Sequence, residues 1–160
     1  MRPIPTQLRD GFVVTMYELE EETCRRLACG TSFGRVVFDD DDGPVAFPVN
    51  ALFTQDRVLF RTAPDSVLDR SAGRGQYVSY EMDEIDPVSE SGWSVLVRGH
   101  AGPLVDPATL ASVADTDVRP WAPEGRDRWI EIAVERISGR IIRRHRLETD
   151  QPPDPYMPPD

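Results

Sequence analysis

The stretch GRVVFDDDDGPVAFPVN, Gly34 to Asn50, decides the fold class. Two short runs rich in Val and Phe flank four aspartates and a glycine, and each run is too short for a helix. Asp42-Gly43 is a hairpin signal, because both residue types tolerate positive φ. Pro44 and Pro48 put the second run at an edge or a bulge, where a missing N–H does little harm. Working outward, the strand pattern continues in RVLFRT (Arg57–Thr62), QYVSYEM (Gln76–Met82), GWSVLVRGHAGPLV (Gly92–Val105), RWIEIAV (Arg128–Val134) and ISGRII (Ile137–Ile142). Gly99 and Gly102 mark bends or bulges in the longest of these.

Short helices interrupt the strands. One begins near Glu20, with Leu19 and Cys24 as a hydrophobic staple, acidic residues in the first turn and Gly30 as a left-handed stop. A second covers Ser66–Ala72. A third covers Pro107–Ala114, with Asp106 as its cap. Strand–helix–strand alternation is absent, as is any GxGxxG. The expected fold is mainly β: a six- to seven-stranded antiparallel barrel with short flanking helices. Residues 1–14 read as a lead-in, 15–148 as the barrel domain, and 149–160, with five prolines in twelve residues, as a disordered tail.

Composition narrows the function. The chain has 160 residues and a net charge of −10, a poor match for nucleic acid or an anionic membrane. No apolar run approaches the roughly 20 residues of a membrane span, and MRPIPTQLRD lacks an apolar signal core, so the expected location is cytoplasmic. All 18 basic residues are Arg, which excludes a Schiff-base lysine. Cys24 and Cys29 lie five apart on one helix and read as buried thiols, without zinc spacing. His100 and His145 have no partner pattern for a metal or a triad, and His145 reads as a surface residue.

The segment FRTAPDSVLDRSAG, Phe60 to Gly73, carries the chemistry. Arg61 and Thr62 end a strand and Ser66 opens a helix. A guanidinium fork, hydroxyl donors and helical N–H groups together suit an anion such as a phosphate. The alternative for Arg61 is a surface ion pair with Asp65. Asn50, one strand earlier, and Trp93 and Ser94, at the entry of the longest strand, suit the polar edge and the ring of a planar ligand. The alternative for Trp93 is core or interface packing.

In order and spacing, GRVVF, PVAFPVN, VLFRTAPDSVLDR, GWSVLVRG, RPWAP, RWIEI and ISGRII resemble the pyridoxamine 5′-phosphate oxidase-like proteins, small actinobacterial members above all, over about residues 15–143. The resemblance implies an FMN-binding split barrel and a homodimer with two flavin sites at its interface. FMN is the usual ligand, and FAD or a deazaflavin serves in some relatives. It places Arg61 and Thr62 at the phosphate, Ser66 at the helix-start hydroxyl, and Val49 and Asn50 along the isoalloxazine ring. Trp93 and Ser94 fall on the segment reaching across from the second subunit. Relatives commonly have Gly-Ser-Lys where this chain has Asp65-Ser66-Val67, which removes a cation and adds an anion, so weaker FMN binding is expected. The implied function is a flavin-dependent oxidoreductase acting on an unidentified small molecule. The alternatives are a non-catalytic module that binds a flavin or planar anion, and a cofactor-free dimeric barrel. Arg140 is the one candidate for the second phosphate pocket that pyridoxamine phosphate oxidation needs; ISGRII reads more simply as a closing strand, and that activity is not assigned.

Overall fold

The computed structural model describes residues 2–9, 12–114, 125 and 127–146. In chain order the elements are β1 (Arg2–Arg9), β2 (Phe12–Leu19), α1 (Glu21–Cys29), β3 (Phe33–Asp40), β4 (Gly43–Phe53), β5 (Arg57–Thr62), α2 (Val67–Gly73), β6 (Tyr77–Asp86), β7 (Ser91–Pro103), α3 (Pro107–Ala114), β8 (Arg128–Ala133) and β9 (Arg136–Arg146). The expectations for the loop around Trp121, for residues 149–160 and for the His145 side chain fall outside the described residues.

All strand pairs are antiparallel. The sheet order is β1-β2-β9-β7-β6-β3-β4-β5-β8, and a further pairing of β7 with β8 closes β7-β6-β3-β4-β5-β8 into a ring. Strands β9, β2 and β1 extend the sheet from the first half of β7. The expected six- to seven-stranded barrel is there, as a six-stranded ring with β9 beside it, and two further strands bring the total among the described residues to nine. The difference is β1 and β2: residues 2–9, expected as a loose lead-in, pair with β2, and β2 pairs along its whole length with β9.

The inner face of the ring is the core. Residues two apart on a strand share a face, so Val36 and Phe38 of β3, Tyr80 and Met82 of β6, and Val95 and Val97 of β7 all turn inward and are buried. Cys24 and Ala28 of α1, and Leu68 and Ala72 of α2, join the same cluster. β5 reads as continuous apolar sequence because both its faces are covered. Val58 and Phe60 face the core, while Leu59 packs outside with Leu104 of the loop after β7 and Val113 of α3. Asp106 caps α3, accepting from the Thr109 N–H at 2.9 Å, and the Thr109 hydroxyl holds its carboxyl below the usual carboxylate range.

Three local expectations are corrected. Gly30 closes α1 with φ −82°, so no left-handed stop is used there. In the β3–β4 hairpin the turn residues are Asp41 and Asp42, and the positive φ, +121°, sits on Gly43, which already pairs with Asp40. The two cysteines differ: Cys24 is buried and Cys29 is exposed. Burial pushes the Cys24 thiol pKa up.

The barrel closes at one crowded point. Gly92–Arg98 of β7 pair with β9, whereas Ala101–Pro103 pair with β8. At the switch, a Cβ on Gly99 would lie 1.8 Å from the carbonyl oxygen of Ala133, while a Cβ on Gly102 would meet nothing within 4 Å. Backbone cannot retreat as a side-chain tip can. Gly99→Ala is therefore expected to destabilise the protein by about 2–3 kcal/mol, and Gly102→Ala by less than about 0.5 kcal/mol. Urea denaturation of both variants measures this; equal midpoints would contradict the closure argument.

Candidate functional site

The site is built where β5 runs out. Thr62 ends the strand inside the barrel, 1% exposed, and its hydroxyl lies 2.8 Å from that of Ser66. Ser66 caps α2, accepting from the Asp69 N–H at 3.1 Å. Asp69 reaches back in turn and accepts from the Asp65 N–H at 3.0 Å. The cap serine takes the N–H of the acidic residue three positions on, while that residue takes the N–H of the residue before the cap, a variant of the capping box. Asp65 is thereby held at φ +58°, left-handed backbone that Gly, Asn and Asp enter most readily. The Arg70 guanidinium bonds the Asp65 carbonyl, so the backbone of this turn is fixed from both sides.

Arg61 precedes Thr62 and so points to the opposite, outer face. It stands over the ring of Trp129, 5.7 Å from the centroid, and pairs with Asp127 at 3.0 Å. The partner is therefore Asp127 and not Asp65, as the ion-pair alternative had it. Its Nε is buried and has no hydrogen-bond partner among the described residues. A buried guanidinium N–H left open in this way fits an anionic acceptor. α2 has only seven residues, so its dipole adds little to the anion preference expected of a helix start.

The other expected site residues divide by face. β4 pairs with β3 up to Asn50 and with β5 only from Ala51, so β4 and β5 part company between Asn50 and Arg61. Asn50 shares the outer face with Leu52, which lies opposite Leu59, and hence with Arg61. The Val49 side chain is turned into the core, 7% exposed, which leaves its backbone for any ligand. Ser94 lies on the outer face of β7, opposite Asp83 of β6 and Arg140 of β9. Trp93 faces the other way, packs against the core cluster and donates its indole N–H to Glu84 at 3.2 Å. In a ring of six strands β4 and β7 occupy opposite positions. Outward side chains on them diverge, so one chain does not bring Ser94 to Asn50 and Arg61.

Two residues escaped sequence reading. Arg128 begins β8 opposite Thr62 and pairs with Asp69 at 3.2 Å. Asp127, beside it, engages Arg61. Both reach the site only through the β5–β8 pairing, across more than sixty residues of chain, and no local motif announces that contact. Arg70 and Arg74 were the nearby cations after Ser66: Arg70 folds onto the Asp65 turn, and Arg74 lies 4.0 Å from Asp41.

The chain matches the family description "Pyridoxamine 5′-phosphate oxidase" over residues 20–141. An uncharacterized Mycobacterium tuberculosis protein, Rv0080, is 38% identical over 130 residues, covering 78% of this chain and 85% of its own length. The FAD binding protein from Mycobacterium smegmatis superposes with a TM-score of 0.66 at 32% identity, over 79% of this chain and 97% of that one. The conserved protein of unknown function DIP1874 from Corynebacterium diphtheriae gives a TM-score of 0.63 at 27% identity, over 78% of this chain and 96% of that one. The matched residues run from the cap of α1 into β9 and so take in the whole ring and every expected site residue: the chain belongs to the pyridoxamine 5′-phosphate oxidase family.

Proposed function

We propose that this chain is a flavin-dependent oxidoreductase acting on a small molecule, working as a homodimer whose sites lie between the subunits. The observation that carries this reading is the buried Nε of Arg61, without a hydrogen-bond partner among the described residues, on the outer face it shares with Asn50 where β4 and β5 separate. An anionic cofactor tail suits that donor, and the 32% identical Mycobacterium smegmatis protein is an FAD binding protein. Arg61 would hold the charged end. Asn50 and the backbone at Val49 would meet the polar edge of the ring, and the Thr62–Ser66 hydroxyl pair would fix the turn behind it. Bound flavin supplies the hydride chemistry. The chain's own residues position it and shape its electrostatics.

The dimer follows from the divergence of the faces. Asn50 and Ser94 point away from each other in one chain, so a ligand touching both needs Ser94 from a second copy. A cofactor-free barrel is the competing reading, and the pairing of Arg61 with Asp127 and of Arg128 with Asp69 favours it, since neither guanidinium is then without a counterion.

Purified protein is expected to gain a flavin absorption band on mixing with flavin, and Arg61→Ala to weaken binding about tenfold or more, as loss of a hydrogen bond to a charged group does. Fluorescence titration measures both; an unchanged affinity would remove Arg61 from the site. Reduction of the bound flavin by a nicotinamide donor separates an oxidoreductase from a passive carrier. The shared site makes a further demand. Arg61→Ala and Ser94→Trp, each deficient alone, should recover about a quarter of the flavin sites when mixed and allowed to exchange subunits, because half the dimers are then mixed and each holds one intact site. No recovery, or a monomer in size-exclusion chromatography, contradicts the arrangement.

A further inference from the structure

We propose that Asp127 is a built-in occupant of the anion site: its carboxylate holds Arg61 until an anionic group displaces it, so the chain itself fills the site when no ligand is bound. The inference rests on the reading of Arg61 as the anchor of an anion and adds how access to that anchor is controlled.

The contact with Asp127 is half of what that edge of Arg61 can make. In a guanidinium the Nε–H and one Nη2–H lie along the same edge and point the same way, so an oxyanion with two oxygens there is held by both. Asp127 accepts only from Nη2, at 3.0 Å. Nε is buried and has no hydrogen-bond partner among the described residues. An incoming phosphate oxygen pair satisfies both nitrogens where Asp127 satisfies one. The exchange therefore removes an unmet buried donor, which is costly to leave, and returns a carboxylate to water, which is not.

The surroundings let the carboxylate leave without moving the guanidinium. Trp129 lies opposite Arg61 in the β5–β8 register, and its ring stands 5.7 Å from the guanidinium carbon. That support does not pass through Asp127 and keeps Arg61 in place. The Asp127 side chain is 79% exposed, so its pairing with Arg61 is weak and water takes over its hydrogen bonds. The next residue, Arg128, is tied to Asp69 at 3.2 Å on the other face of the ribbon and fixes the start of β8. Rotation of the Asp127 side chain alone then opens the site. While Asp127 is seated, the apparent affinity for an anion is lowered by the fraction of molecules in which Arg61 is free. A ligand without an anionic group does not compete with Asp127 and is not affected.

The test is a fluorescence titration of the intact protein with FMN and with riboflavin, which differ by the phosphate alone, at neutral pH and fixed salt. Asp127→Asn removes the charge at an exposed position and keeps the size of the side chain, so the fold is not at stake. It is expected to raise FMN affinity several-fold and to leave riboflavin affinity unchanged. In an Arg61→Ala background the same change is expected to raise FMN affinity by less than about twofold, because the contact it relieves is already gone. An unchanged FMN affinity in Asp127→Asn, or an equal gain with Arg61 absent, overturns the inference and leaves the flavin reading standing. FMN bound no tighter than riboflavin by both the native protein and Asp127→Asn overturns it as well. If neither flavin binds, the flavin reading fails, and inorganic diphosphate titrated calorimetrically into the same four proteins decides this inference alone. Diphosphate binding that Asp127→Asn strengthens only when Arg61 is present upholds it, and any other result overturns it.

Discussion

The close backbone approach of Gly99 to Ala133 is the constraint on which the rest of the structure depends. β7 serves two neighbours on the same side, β9 along its first half and β8 at its end. The change of neighbour leaves no room for a side chain between the strands. Once β8 is seated there, it also pairs with β5, and the ring closes around a core in which Ile130 and Ile132 are fully buried. Closure removes two sheet edges that would otherwise invite pairing with another chain. It also creates an outer apolar layer, where α3 covers Leu59 and Trp129 supports Arg61.

The candidate site is a product of that closure more than of any local motif. The turn after β5 is self-contained: Thr62, Ser66, Asp65 and Asp69 satisfy one another within eight residues. Its electrostatic character comes from elsewhere. Asp127 and Arg128 arrive with β8, one on each face of the ribbon, and give Arg61 and Asp69 their charged partners without changing the net charge of the strand end. The ion pairs are at least partly open to water, so each stabilises the fold by only about 0–1 kcal/mol. Their effect on what the site accepts is larger than their effect on whether the chain folds, because a ligand must compete with them at close range.

These origins explain what the sequence disclosed. β5 was legible to the residue, because Arg57 and Thr62 bracket an apolar run with turn residues on either side. That Thr62 and Ser66 lie at one place was legible because only four residues separate them; their bond to each other was not read. β2 was not read as a strand: Phe12, Val13, Val14, Met16 and Tyr17 put apolar or aromatic side chains on both faces, so the alternation that marks a half-buried strand is missing. β1 was masked by Pro3 and Pro5. The roles of Asp127 and Arg128 depend on a pairing that only the closed ring creates. Trp93 shows a different limit. Its neighbour Ser94 faces outward as a ligand-facing residue would, but strand parity turns the indole toward the core, and only the phase of β7 decides which of the two is which.

Asp65 carries two properties that can be separated. Its φ of +58° answers a backbone demand, set by the Asp69 carboxylate on its N–H and Arg70 on its carbonyl. Glycine or asparagine would meet that demand equally well. Its negative charge answers no structural demand, since no described residue bonds the carboxylate. A charge placed at a turn that does not need it, beside two guanidiniums that already have counterions, shifts the site from cationic to neutral without altering its shape. The conformation of the turn and its preference among anions are therefore set by different atoms of the same residue, and a substitution can change the second while keeping the first.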